Sequence, residues 1–108
     1  MLAVIFEVEI NPGRSEAYFD LAGTLRPELE AIDGFISVER FQSMSTQGKY
    51  VSLSFWRDEK AVRTWREHAQ HRLAQAKGKS GIFADFRIRV AEVVRDYSLG
   101  DSSADSRD

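Results

Sequence analysis

His68 and His71 are the only imidazoles in the chain, and their separation of three residues places them side by side on one helical turn. Three chemistries are open to such a pair. They could supply two ligands to a metal ion, but with no cysteine in the sequence and only Glu67 close by, the set is incomplete. Either could act as a general base, since an imidazole pKa of about 6.5 lets it take a proton near neutral pH. Both could instead sit on a solvated helix surface, beside Arg66, Glu67 and Arg72. Trp65, on the inward side of the same helix, reads either as core packing or as the wall of a pocket. Arg87 and Arg89 keep their charge at any physiological pH. They could hold an anionic group, or pair with Glu7, Glu9 or Glu39 across a sheet. The absence of cysteine excludes a disulfide framework, a thiolate metal site and a cysteine nucleophile. Gly13, Gly34 and Gly78 read as turn and cap glycines, and nothing in the sequence resembles a phosphate-cradling loop.

The elements that must position these groups follow from periodicity. Leu2 to Ile10 alternates apolar residues with Glu7 and Glu9, as a half-buried strand does. Asn11-Pro12-Gly13 breaks it, and Tyr18, Leu21, Ala22, Leu25, Leu29 and Ile32 then recur at helical steps. Pro27 lies inside that helix and predicts a kink or restart near Arg26. Phe35 to Met44 and Tyr50 to Trp56 alternate again around a short polar loop, which predicts an antiparallel hairpin. Asp58 is placed to cap a second helix carrying Val62, Trp65, Ala69, Leu73 and Ala76 and running to about Lys77. Ala84 to Val94 is a fourth strand, and residues 98–108 form a polar tail expected to be disordered. The order strand, helix, strand, strand, helix, strand predicts an α+β fold of ferredoxin-like type, a four-stranded antiparallel sheet with both helices on one face.

The bulk properties agree with one domain over residues 1–97. A chain of 108 residues can bury about two-thirds of its unfolded surface around one core. Its 43% hydrophobic and 30% charged residues are those of a water-soluble globular protein. The formal net charge is -2 with the basic residues dispersed, which argues against a nucleic-acid partner. The first ten residues contain two glutamates and no basic leader, so they read as neither signal peptide nor membrane span, and a cytoplasmic location with no membrane partner is expected.

Alternation also predicts the two faces of the sheet. The helix-covered face should present Phe6, Val8, Ile36, Val38, Val51, Leu53, Phe55, Phe86, Ile88 and Val90. The other should carry Ile5, Glu7, Phe35, Phe41, Tyr50, Ser52, Ser54, Trp56, Arg87 and Arg89. This second face mixes aromatics with charge, the composition of a protein contact, and a second copy of the chain is the simplest partner.

Pro12-Gly13, Gly34-Phe35-Ile36-Ser37, Phe55-Trp56-Arg57-Asp58, Ala61, Trp65, His68, His71, Ala74 to Gly78 and Arg89 to Tyr97 together resemble the antibiotic biosynthesis monooxygenase family over roughly residues 2 to 97. The resemblance implies a dimeric α+β barrel and a cofactor-free oxygenation of small electron-rich aromatics such as quinols or anthrones. In such chemistry the deprotonated substrate itself passes an electron to O₂, while the protein binds it, excludes water and accepts a proton. No metal or cofactor is then expected. The site would be a pocket between helices and sheet walled by Phe6, Phe55, Trp65 and Phe86, with Arg87 as a further substrate contact and Trp65, His68 and His71 as candidate catalytic residues. A haem-degrading branch of the family uses an asparagine, a tryptophan and a histidine at positions that correspond here to Phe6, Trp65 and Gln75. Only the tryptophan is kept, so no haem binding is expected. A non-catalytic small-molecule-binding or stress protein on the same scaffold is the alternative.

Overall fold

The computed structural model describes residues 1–75 and 81–101. They form β1 (Leu2–Ile10), α1 (Ser15–Glu30), β2 (Phe35–Gln42), β3 (Lys49–Trp56), α2 (Glu59–Gln75) and β4 (Phe83–Glu92). The sheet order is β2-β3-β1-β4, every neighbouring pair antiparallel, which is the expected ferredoxin-like arrangement. Leu99–Asp101 make a single 3₁₀ turn. The expected end of α2 near Lys77, Gly78, and the tail from 102 onward lie outside the described residues.

Local chemistry explains the joints. Asp58 Oδ1 accepts from the Ala61 backbone N–H at 3.0 Å and caps α2. Asn11 Nδ2 donates to the Gly81 carbonyl at 2.7 Å, tying the β1–α1 turn to the entry of β4. α1 runs as one helix through Pro27, so the expected restart does not occur. Pro27 and Gly23, whose carbonyl loses its intrahelical donor, both lie on the exposed side, where water can replace the missing bond.

Register decides which face the helices cover. Val4 stands opposite Ser54, Phe6 opposite Ser52 and Val8 opposite Tyr50, so Tyr50, Ser52, Ser54 and Trp56 share the helix side with Val4, Phe6 and Val8. This reverses the expectation for β3, where Val51, Leu53 and Phe55 were assigned to that side. Strict alternation separates two faces without saying which one receives the helices. Here the bulky ends Tyr50 and Trp56 fill the core, 8% and 0% exposed, and the apolar Val51, Leu53 and Phe55 face the other way. An irregularity between Phe35 and Ser37 turns Phe35 inward against Trp56, ring centroids 5.4 Å apart, and leaves Ile36 exposed. Phe86, Ile88 and Val90 are on the helix side as expected, but at the sheet edge, and they remain 50%, 37% and 47% exposed.

The core is split in two. Val4, Trp56, Ala61, Val62 and Trp65 form one cluster, and Val8, Ile10, Tyr18, Tyr50 and Ile82 form the other. Phe6 lies between Val4 and Val8 on the same strand face, yet it is only half-buried. The space above it is an open cleft.

Candidate active-site cleft

The cleft lies between α1, the middle of α2 and the helix side of the sheet, and its cavity volume is about 80 Å³. Such sites are mostly apolar with a few placed polar groups. α1 supplies Tyr18, Leu21, Ala22, Leu25 and Leu29, its inward stripe, α2 supplies Trp65 and Ala69, and Phe83 closes one end. The floor is a cross-strand row of Phe6 on β1, Ser52 on β3 and Arg40 on β2, flanked by Ser54 and Val38. Two small serines where larger side chains would fill the gap are what keep the two core clusters apart.

Polar groups are few. Ser54 Oγ accepts from Trp56 Nε1 at 2.9 Å inside the core. The Arg40 guanidinium carbon lies 5.5 Å from the Tyr18 ring centroid and 5.4 Å from that of Phe19. Burial pushes the Tyr18 phenol above its ordinary pKa, and the neighbouring Arg40 opposes that shift. Arg26, from α1, lines the cleft but is paired with Glu30 at 3.3 Å.

The residues singled out from sequence are distributed unevenly. Phe6 and Trp65 line the cleft, and Trp65 also belongs to the core, its ring 6.4 Å from that of Trp56. Phe86 touches Phe6 edge-on at 5.8 Å but stands outside the lining. Phe55 is on the opposite side of the sheet because of the register of β3, and so is Arg87, which faces Glu7. His68 Nε2 lies 2.6 Å from Glu28 Oε1 between the helices, His71 is exposed, and neither lines the cleft. Arg89 pairs with Glu7 across the uncovered face, as anticipated, and Lys49 joins the same carboxylate at 3.4 Å. Among the described residues no three His, Asp or Glu side chains come together to hold a metal ion, and no helix is long and apolar enough to cross a membrane. Tyr18, Ser52 and Arg40 also line the cleft, though no motif in the sequence marks them. The stripe carrying Tyr18 was visible as a packing face, whereas Ser52 and Arg40 could be found only once register was known.

Fold and cleft together define a ferredoxin-like α+β domain with a mostly apolar cleft between helices and sheet. The profile of the antibiotic biosynthesis monooxygenase family matches residues 1–77, and the chain belongs to that family. Over 93 residues it is 48% identical to the jasmonate monooxygenase ABM of Pyricularia oryzae, an alignment covering 86% of this chain and 43% of that protein. It is 31% identical over 72 residues to the uncharacterized protein YqjZ of Bacillus subtilis, covering 67% and 61% of the two. The chain thus spans less than two-thirds of the length of either relative. Among solved structures, Rv0793 from Mycobacterium tuberculosis superposes with a TM-score of 0.75 at 21% identity, over 90% of this chain and 98% of that one. PA3566 from Pseudomonas aeruginosa gives 0.72 at 19% identity, over 87% and 94%. These two likenesses establish the shared fold.

Proposed function

We propose that this chain is a cofactor-independent monooxygenase that binds a small electron-rich aromatic molecule in the cleft and works as a cytoplasmic homodimer. The observation that carries the reading is the open apolar space between the two core clusters, walled by Phe6 and Trp65 in a member of this family. For an anthrone-type substrate the reaction balances without a further reductant: a ring CH₂ and O₂ give a ring C=O and water. The substrate loses a proton, and the resulting carbanion is the electron donor to O₂. The walls exclude bulk water and hold the ring while this happens. No imidazole lines the cleft, so the proton leaves to solvent at the mouth or to His68, the neighbour of the wall residue Ala69. The homodimer is supported by the uncovered sheet face, where Ile5, Val51, Leu53 and Phe55 form an apolar strip beside Glu7, Arg87 and Arg89.

A second reading takes its substrate from the Pyricularia relative, a jasmonate being an alicyclic ketone that bears a carboxylate. Inserting one oxygen atom into a C–H bond sends the other to water and consumes two electrons from a donor. The two readings therefore differ in their need for a reductant. The test is oxygen uptake by metal-stripped protein with a panel of quinols and anthrones, beside Trp65→Phe, His68→Gln and a protein-free control. Uptake above autoxidation, reduced by Trp65→Phe, supports the first reading. Loss on His68→Gln assigns the proton to that imidazole. No uptake without a reductant moves the balance to the second reading or to a binding protein. Added haem is expected to give no Soret shift.

A further inference from the structure

We propose that the cleft selects small apolar molecules bearing one carboxylate, held by Arg40 with help from the hydroxyl of Ser52, while the apolar body lies toward Phe6 and Trp65. This deepens the reading of the cleft as the substrate site and rests on it.

Three observations carry the assignment. First, of the two arginines that line the cleft, Arg26 is paired with Glu30, whereas Arg40 forms no ion pair with any described carboxylate. Glu39, the acidic residue in the lining, pairs in register with Leu53 on the uncovered face and forms no ion pair with Arg40, so the guanidinium is open to an anion. Second, its position is fixed by the rings of Tyr18 and Phe19 on α1, at 5.5 and 5.4 Å. Contact with an aromatic ring engages the flat guanidinium while leaving N–H donors at its edge, which is where a carboxylate binds in bidentate fashion. Preorganisation of this kind removes part of the side-chain entropy lost on binding. Third, Ser52 is the direct cross-strand partner of Arg40 and of Phe6, so its side chain stands on the floor between the charged end and the apolar end. Its hydroxyl makes no hydrogen bond with the described residues, unlike that of Ser54, which is committed to Trp56. Charge, free donor and apolar wall thus occur in order along one row of the sheet.

The test is binding of 2-naphthoate and of its methyl ester, measured by calorimetry on the full chain and on Arg40→Gln, Arg40→Lys and Ser52→Ala. The acid and ester share the apolar body, so the ratio of their affinities isolates the contribution of charge. The wild type should prefer the acid by roughly tenfold or more. Arg40→Gln should bring the ratio close to one, and Arg40→Lys should fall between, since it keeps charge and loses the fork. Ser52→Ala should lower acid affinity by a smaller factor. Equal affinity for acid and ester, a preference that survives Arg40→Gln, or no binding of either compound overturns the proposal. Oxygen uptake is scored separately. Turnover of uncharged quinols without any acid preference sinks this inference and leaves the monooxygenase reading standing, while Arg40-dependent acid binding with no turnover does the reverse.

Discussion

Nε2 of His68 on α2 lies 2.6 Å from Oε1 of Glu28 on α1, and Arg72, one turn further along, grips the same carboxylate. Glu28 therefore joins the two helices that roof the cleft. Arg72, then His68, holds its carboxyl below the ordinary glutamate value of 4.5. A carboxyl with a depressed folded pKa stabilises the fold above its unfolded pKa, and that contribution disappears as pH falls through the folded value. Stability should thus drop on acidification below 4.5, and Glu28→Gln should be less stable at neutral pH with a flatter acid limb. Thermal melts from neutral pH to about pH 3 check this. An acid limb unchanged in Glu28→Gln would show that the bridge contributes nothing.

Inside the core, the indole N–H of Trp56 has Ser54 Oγ as its partner at 2.9 Å, and Ser54 also borders the cleft. Removing the acceptor leaves a buried donor unpaired. Ser54→Ala should cost about 1–3 kcal/mol in a urea titration, whereas the double variant with Trp56→Phe should cost less than the sum of the two single changes, because it deletes both partners. Simple additivity would show that water already serves the indole.

Much of this architecture is legible in the sequence. Val4, Phe6 and Val8 declare β1, the stripe from Tyr18 to Leu29 declares α1, and Asp58 marks the start of α2, because each signal is local. The reversed faces of β3 were not legible: in Tyr50-Val51-Ser52-Leu53-Ser54-Phe55-Trp56 the wholly apolar parity is Val51, Leu53 and Phe55, and only pairing with β1 shows that the parity with two serines between Tyr50 and Trp56 faces the helices. That one ambiguity takes Phe55 out of the cleft lining and brings Ser52 and Ser54 into it. Arg40 was hidden for a related reason, since a charged residue on an edge strand reads as solvated until the rings of Tyr18 and Phe19 are found beside it. Histidines three apart on a helix look like chemistry, yet Glu28 forty residues earlier has engaged one of them.

Gly34 and Gly81 share a left-handed φ of +93°, which permits a controlled comparison. A Cβ on Gly34 would stand 2.7 Å from Cβ of Ala61, while one on Gly81 would meet nothing within 4 Å. Gly81→Ala should therefore cost only the backbone strain, about 1 kcal/mol. Gly34→Ala adds an overlap against α2 and should cost about 2–4 kcal/mol. Equal costs would mean that α2 shifts freely at Ala61, contrary to its packing against Trp56 and Val4.

The uncovered face of the sheet sets the last prediction. Leu53 stands between Ile5 of β1 and Glu39 of β2 at the middle of that face, and Phe41, 46% exposed, lies nearby on β2. If two copies pair through this strip, a glutamate at position 53 places a charge at the centre of a dry contact in both protomers, and burying it unpaired costs more than the lost apolar contact. Light scattering should then give twice the chain mass for the wild type and the single-chain mass for Leu53→Glu. The wild-type melting temperature should rise with protein concentration while that of the variant does not. The helix side is untouched by this change, so acid binding by the isolated protomer reports whether the cleft is complete within one chain. A wild type that runs as a monomer at micromolar concentration would remove the dimer from the proposed function and leave the mixed face without an assigned partner.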